Sequence, residues 1–288
     1  MPTSFSIAPQ RYSLVAFFVL TFLLSWSLWI PAALASHGLM TFSVSPMVTG
    51  IVGAFAPTIA GLIMTAREEV VPGLRRLGRR LWLWRVGFQW YFFVLLWPAL
   101  LSLCGTGVAI LMGWPAPDFA NPPFVTLYPI PPEAAQVGWW FFLPFIFLQQ
   151  LTIGSAMGEE LGWRGYALPH LQARTSALYA SLILGLLWGI WHLPLYWTVG
   201  DARTSMSVGW LLAGLLLEAI LYTWVFNHTQ GSLLLSLLFH AATAVTSLFL
   251  AFLSLPWVGF VVTLGLVVGI VLIEGERWVK VNAHPLKV

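Results

Sequence analysis

Eight apolar runs, each long enough to cross a bilayer as a helix, fill most of this chain and leave few folds open to it. A hydrocarbon core of about 30 Å takes about 20 helical residues at about 1.5 Å each. The runs cover residues 12–35, 47–66, 88–113, 138 to about 172, 179–197, 208–227, 232–253 and 257–273. They are longer than the segments of a membrane barrel, which have about ten residues, and they do not alternate, so strands are a poor reading. The chain reads as all-α, a polytopic membrane protein with about eight transmembrane helices in one bundle. Composition excludes the rival: with 59% hydrophobic and 8% charged residues, too few charges exist to cover this apolar surface in water. With no fixed-period repeat and no low-complexity linker, residues 1–288 form a single integral-membrane domain. Cys104 has no second cysteine to pair with.

Charge is unevenly divided between alternate loops. Arg67, Arg75, Arg76, Arg79, Arg80 and Arg85 fall between the second and third runs, a bias that places this loop in the cytoplasm. Both termini then lie on the same side, with Arg11, Arg164, Arg174, Arg277, Lys280 and Lys287. The Pro-rich segment 114–132 carries Asp118, with Glu133 just beyond, and no Lys or Arg, as an external loop requires. Arg203 is the one basic residue left outside. The isoelectric point of about 9.2 thus reflects multi-pass orientation in a cell (plasma) membrane rather than nucleic-acid binding. Leu74, Leu77, Leu81 and Trp84 recur at helical spacing among the arginines, which suits either a helix in the headgroup layer or a solvated loop that sets topology. Arg11, an apolar stretch and Ala33-Leu34-Ala35 imitate a cleavable signal peptide, but the run is too long for one, and Pro31, His37 and Gly38 read equally well as a helix exit.

Ionisable side chains inside apolar helices cost about 2.5 to 3.5 kcal/mol each, so each needs a reason. Here they are Glu159, Glu160 and Arg164 in the fourth run, His192 in the fifth, Glu218 in the sixth and His240 in the seventh. An antiparallel hairpin turning at 174–176 brings Glu159 and His192 to one depth, because the turn falls midway between them. A second hairpin turning at 227–232 does the same for Glu218 and His240. Two imidazoles and a carboxylate on separate helices are the inventory of a hydrolytic zinc site, where neutral His nitrogens hold the metal and Glu polarises a water. The soluble metalloprotease signature His-Glu-x-x-His is absent.

Plainer roles compete at each position. A single intramembrane His serves helix–helix hydrogen bonding as readily as metal binding. Glu160 and Arg164, four residues apart, suit an ion pair that neutralises both, which leaves Glu159 unpaired and the better candidate for a general base. Glu218 suits a second acceptor behind a ligand His, a proton relay or a helix contact. Gly154, Gly158, Gly162 and Gly165 suit close helix packing rather than phosphate binding. His37, His170, His228 and His284 lie in loops or at span ends and are given no role.

These residues resemble a known family. Glu159-Glu160-Leu161-Gly162-Trp163-Arg164 is similar to the Glu-Glu-x-x-x-Arg motif of the CPBP intramembrane proteases, a group that includes CAAX-prenyl endopeptidases and bacteriocin-processing or self-immunity proteins of the Abi type. Gly165-Tyr166-Ala167-Leu168-Pro169 looks like the continuation in bacterial members. Trp188-Gly189-Ile190-Trp191-His192 resembles the second motif, Phe-x-x-x-His, with Trp for Phe, and His240 after Gly231-Ser232-Leu233-Leu234 resembles the third. The likeness covers the C-terminal half, a protease core at about 139–250.

The resemblance implies that Glu159 activates a water, that His192 and His240 bind a divalent metal, zinc by preference, or orient that water, and that Glu160 and Arg164 support them. It implies an eight-helix fold reached from the cytoplasmic side and a membrane-associated peptide or protein substrate, prenylated in the CAAX case. One departure matters: the third motif usually reads His-x-x-x-Asn or Asp, and the position here is Ala244, with Thr243 beside it as a possible substitute.

The first expectation is therefore an intramembrane metal-dependent endopeptidase with Glu159, His192 and His240 as catalytic residues, and Glu160, Arg164, Glu218 and Thr243 in support. The second is a catalytically weak binding or self-immunity protein, which Ala244 favours. The third is a proton- or metal-coupled transporter, which should show discontinuous helices and inverted repeats.

Overall fold

The computed structural model describes residues 11–127, 138–201, 204, 206–251 and 255–280. Glu133, Arg203, His284 and Lys287 lie outside the described residues. Among the described residues every regular element is helical.

The first run is α1 (Arg11–Ser36). The second is divided into α2 (Pro46–Ala54) and α3 (Ala56–Glu68) at Phe55, just before Pro57, which has no N–H to extend the ladder. The basic loop forms α4 (Val70–Leu81), and the third run is α5 (Phe88–Leu111). The fourth run is divided further. A single 3₁₀ turn (Trp139–Phe141) precedes α6 (Leu143–Thr152), and a break at Ile153 and Gly154 precedes α7 (Ser155–Gly162). A π-helical turn (Trp163–Ala167) then leads into α8 (Leu168–Gln172).

The last four runs are α9 (Ala177–Trp191), α10 (Val208–His228), α11 (Leu233–Phe249) and α12 (Pro256–Glu274). Ser176, Ser207 and Ser232 start α9, α10 and α11, each side chain accepting from the backbone N–H three residues on. Both hairpin turns therefore fall where polarity places them.

Six of the eight runs contain helical stretches long and apolar enough to cross a membrane. The other two, α9 and α11, have 15 and 17 residues, or about 22 and 26 Å. Pro194 explains the first early stop, since the helix ends at Trp191 and only a single turn, Leu193–Tyr196, follows. Broken helices, expected of a transporter, do occur in the second and fourth runs. The two broken runs pack on each other.

That packing explains two of the glycines. A Cβ at Gly162 would stand 2.2 Å from the Pro57 carbonyl oxygen, and one at Gly158 2.6 Å from that of Ala54. The backbones of α2 and α3 approach α7 this closely because Gly158 and Gly162 carry no side chain, as in other membrane helix pairs. Thr58 adds a 2.8 Å hydrogen bond to the Met157 carbonyl.

Lipid-facing and protein-facing helices divide accordingly. Val15, Val19 and Leu23 on α1, Phe88, Phe92, Leu96 and Leu100 on α5, and Val261, Val268 and Leu272 on α12 form exposed stripes spaced for a helix face. In water such stripes would be a liability, and in hydrocarbon they are the expected outer surface. The aromatic core lies inside them. Trp191 donates from its indole to Ser25 at 2.8 Å, and Trp26 donates to the Trp191 carbonyl at 3.0 Å, so α1 is fastened to the end of α9 beside His192.

Candidate active site

Glu159, Glu160 and Arg164 project from one turn of α7 and the π-helical turn that follows it, and all three are buried. A π turn carries one residue more than an α turn and commonly marks a functional position. Arg80 on α4 donates to the Gly165 carbonyl within that turn at 3.2 Å. Burial, with the charge of Arg76 nearby, lowers the Arg80 pKa to about 10, so the donor stays cationic at neutral pH.

The Glu160–Arg164 ion pair is present: Arg164 Nη1 donates to Glu160 Oε1 at 2.9 Å. The pair is not isolated. His240 Nδ1 lies 2.8 Å from the same Glu160 oxygen, a contact across 80 positions of sequence. Arg164 Nε and Nη2 have no hydrogen-bond partner among the described residues, and the cation is instead placed 3.8 Å from the centre of the Tyr222 ring and 4.6 Å from that of Trp188. A buried guanidinium enclosed by two aromatic faces recovers part of its desolvation cost through the ring quadrupoles.

Glu159 differs from its sequence expectation of being unpaired. Its Oε2 accepts a hydrogen bond from the Trp188 indole at 2.7 Å and a longer one from Trp163 at 3.3 Å. The other oxygen, Oε1, faces His240 Nε2 at 4.0 Å. Indole donors thus fix Oε2, while Oε1 is turned towards the His240 ring.

His192 follows the last residue of α9, and its Nδ1 lies 2.9 Å from the Trp188 carbonyl. A carbonyl can only accept, so Nδ1 carries the hydrogen, and in the neutral ring Nε2 carries the lone pair. His240 has the same polarity when Nδ1 donates to the Glu160 carboxylate. Trp188 joins the two histidines, its ring 5.9 Å from that of His192 and 6.1 Å from that of His240.

Nδ1–H held by an oxygen acceptor is the usual arrangement behind a metal-bound His Nε2. The donor chemistry of the two histidines therefore suits a metal, while no group of three or more His, Cys, Asp or Glu among the described residues is placed to hold an ion.

Glu218 accepts from the Thr243 hydroxyl at 3.3 Å, not from a histidine. Both residues line a cavity of about 310 Å³ between α5, α10, α11 and α12, which is otherwise largely apolar and includes Trp97, Trp210, Phe239 and Phe260. Three histidines without an assigned role, His37, His170 and His228, have structural contacts. His170 bridges the Tyr166 carbonyl and Glu68, His228 pairs with Glu274, and His37 meets the Trp197 carbonyl.

The sequence reading gives Trp163, Trp188, Tyr222 and Arg80 no part in the site, although Trp163 and Trp188 fall within its motifs and Arg80 among its loop arginines. Trp163 is four residues after Glu159 and Trp188 four before His192, so helical spacing alone would have nominated those two. Nothing local marks Tyr222 or Arg80.

Residues 138–246 match the family model described as type II CAAX prenyl endopeptidase Rce1-like. The chain is also 28% identical over 242 residues to a protein named CAAX prenyl protease 2 from Methanococcus maripaludis, covering 81% of this chain and 83% of that relative. Both comparisons bear out the likeness read from the motifs, and both point to a membrane endopeptidase.

Proposed function

We propose that this protein hydrolyses a peptide bond of a membrane-associated protein, using a water activated by Glu159. The observation that carries the reading is the Glu159 carboxylate, one oxygen held by two indoles and the other 4.0 Å from His240 Nε2. A water bound to Glu159 Oε1 beside His240 Nε2 gives its proton to Glu159 as its oxygen attacks the scissile carbonyl carbon. When the tetrahedral intermediate collapses, Glu159 returns the proton to the leaving amine nitrogen. His240, held by Glu160, orients the water and the reacting carbonyl, and Trp188 keeps Glu159 from rotating away.

The names of the matching family and of the Methanococcus maripaludis relative refer to prenyl substrates. We assign the apolar cavity beside Glu218 and Thr243 to the isoprenoid chain of such a substrate, since it lies one helical turn beyond His240. In this reading the site faces the cytoplasm of a cell membrane, with both termini on that side. A divalent metal, zinc by ligand preference, would be held by His192 and His240.

The test is hydrolysis of prenylated and unprenylated peptides by purified protein, with Glu159→Gln in parallel and metal content measured on the same samples. Loss of cleavage in the variant with its fold retained is expected, and full activity would overturn the reading. One equivalent of metal that is lost in His240→Ala supports the ligand pair. Cleavage by metal-free protein assigns the water to Glu159 alone.

Ala244 favours a second reading, a catalytically weak relative that acts by binding its target. Absence of cleavage across a broad peptide panel by wild type would favour it.

A further inference from the structure

Helix α4 presents two faces with different partners. Its inner face carries Leu77 and Arg80, both buried, and these close on Gly165 in the π turn that follows Glu159 and Glu160. Its outer face carries Val71, Arg75 and Arg79, which fall on one side of the helix at 100° per residue, and Trp82 follows directly after its last residue. Val71 is 56% exposed and Trp82 80% exposed. Arg75 and Arg79 are also exposed, and neither has an ion pair or hydrogen bond with a described residue. Arg76, on the flank, is paired with Glu69 at 2.6 Å, and Glu68 is held by Tyr166 and His170, so the nearby carboxylates are committed elsewhere.

The position of this face limits what can cover it. α4 begins two residues after the end of α3, a membrane span, and ends seven residues before α5, the next one. It is therefore held at the end of two spans, where phosphate headgroups are found. Trp84, 57% exposed, stacks with Arg85 at 5.1 Å just beyond the helix, an amphipathic pair suited to that layer.

We propose that the outer face of α4 binds the headgroups of anionic phospholipids, with Arg75 and Arg79 on the phosphates and Val71 and Trp82 at the acyl boundary. Bound lipid seats the helix whose inner face, through Leu77 and Arg80, holds the π turn of the candidate site. The proposal does not rest on the hydrolytic reading, because it follows from the charge, exposure and position of this face and from no step of cleavage.

The test is native mass spectrometry of the full chain released from mixed vesicles of phosphatidylcholine and phosphatidylglycerol. Wild type should retain phosphatidylglycerol preferentially, and the preference should weaken as salt is raised. Arg75→Gln with Arg79→Gln should weaken it by about five-fold for each charge removed. Arg75→Lys with Arg79→Lys should keep most of it, which separates surface charge from damage to the fold. Equal retention of both lipids by wild type, or an undiminished preference in the Gln variant, would overturn the proposal. Neither readout depends on peptide cleavage.

Discussion

Glu160 and His240 meet at 2.8 Å, and the same carboxylate oxygen also takes the Arg164 hydrogen bond. One buried anion thus anchors a cation from its own helix and an imidazole from α11. Glu160→Gln keeps an acceptor for His240 but removes the charge opposite Arg164. Breaking one side of a buried ion pair costs about 3 to 5 kcal/mol. The expected result is a marked fall in the thermal unfolding midpoint and in purified yield, measured in one detergent beside wild type. Glu159→Gln should leave both nearly unchanged, because an amide oxygen can still accept from the Trp188 and Trp163 indoles.

Trp188→Phe separates two functions of one ring. The substitution removes the 2.7 Å hydrogen bond to Glu159 and retains an aromatic face near Arg164. A hydrogen bond to a charged group contributes about 1.5 to 3 kcal/mol, so kcat should fall about tenfold or more with KM little changed. Trp163→Phe, which loses only the 3.3 Å contact, should have a smaller effect. Equal effects from the two would argue against Trp188 as the residue that positions Glu159.

Gly162→Ala should be strongly destabilising, since its Cβ would collide with the Pro57 carbonyl oxygen at 2.2 Å and push α3 away from α7. Gly265→Ala in α12 is the control: its Cβ would meet nothing within 4 Å. There the change should be neutral or stabilising by up to about 1 kcal/mol, from helix propensity. Thermal melts of the two variants compare packing with propensity directly.

Gly214 lines the cavity beside Glu218, and a Cβ there would also meet nothing within 4 Å. Gly214→Leu should therefore fold well and occupy space assigned to the isoprenoid chain. Cleavage of a prenylated peptide should drop several-fold relative to its unprenylated counterpart. A uniform change in both rates would mean that the cavity does not hold the chain.

What could be read from the sequence follows from where the controlling interactions lie. The eight apolar runs, the two hairpin turns and the Glu160–Arg164 pair are local features, written in composition, Ser caps and four-residue spacing. The shortness of α9 was legible only in part, because Pro194 marks its end but the apolar run continues past it. The partners of Glu159 were half visible, since Trp163 shares its helix while Trp188 arrives from another. The aromatic enclosure of Arg164 and the reach of Arg80 to Gly165 depend on contacts between distant segments. Arg80 in particular reads as one more topogenic arginine until its burial is known.

The same distinction between local and distant contacts decides how Thr243 and Ala244 should behave. Position 244, one turn after His240, is where the resembling family usually has Asn or Asp, and Ala offers no hydrogen-bonding group there. Thr243 is an unpromising substitute, because its hydroxyl hydrogen is directed to Glu218 at 3.3 Å rather than towards Glu159 and His240. Ala244→Asn should therefore add a donor that the site lacks and raise kcat. Deleting such a donor elsewhere costs about 100 to 1000-fold, so even an imperfectly aimed amide should give about tenfold. Thr243→Val should leave kcat on unprenylated peptide unchanged and affect mainly substrates that reach the Glu218 cavity. Both variants are assayed on the same prenylated and unprenylated peptides. A large loss in Thr243→Val on the unprenylated peptide would show that this hydroxyl turns towards the reacting carbonyl. No gain in Ala244→Asn would show that this face of α11 has no part in the chemistry.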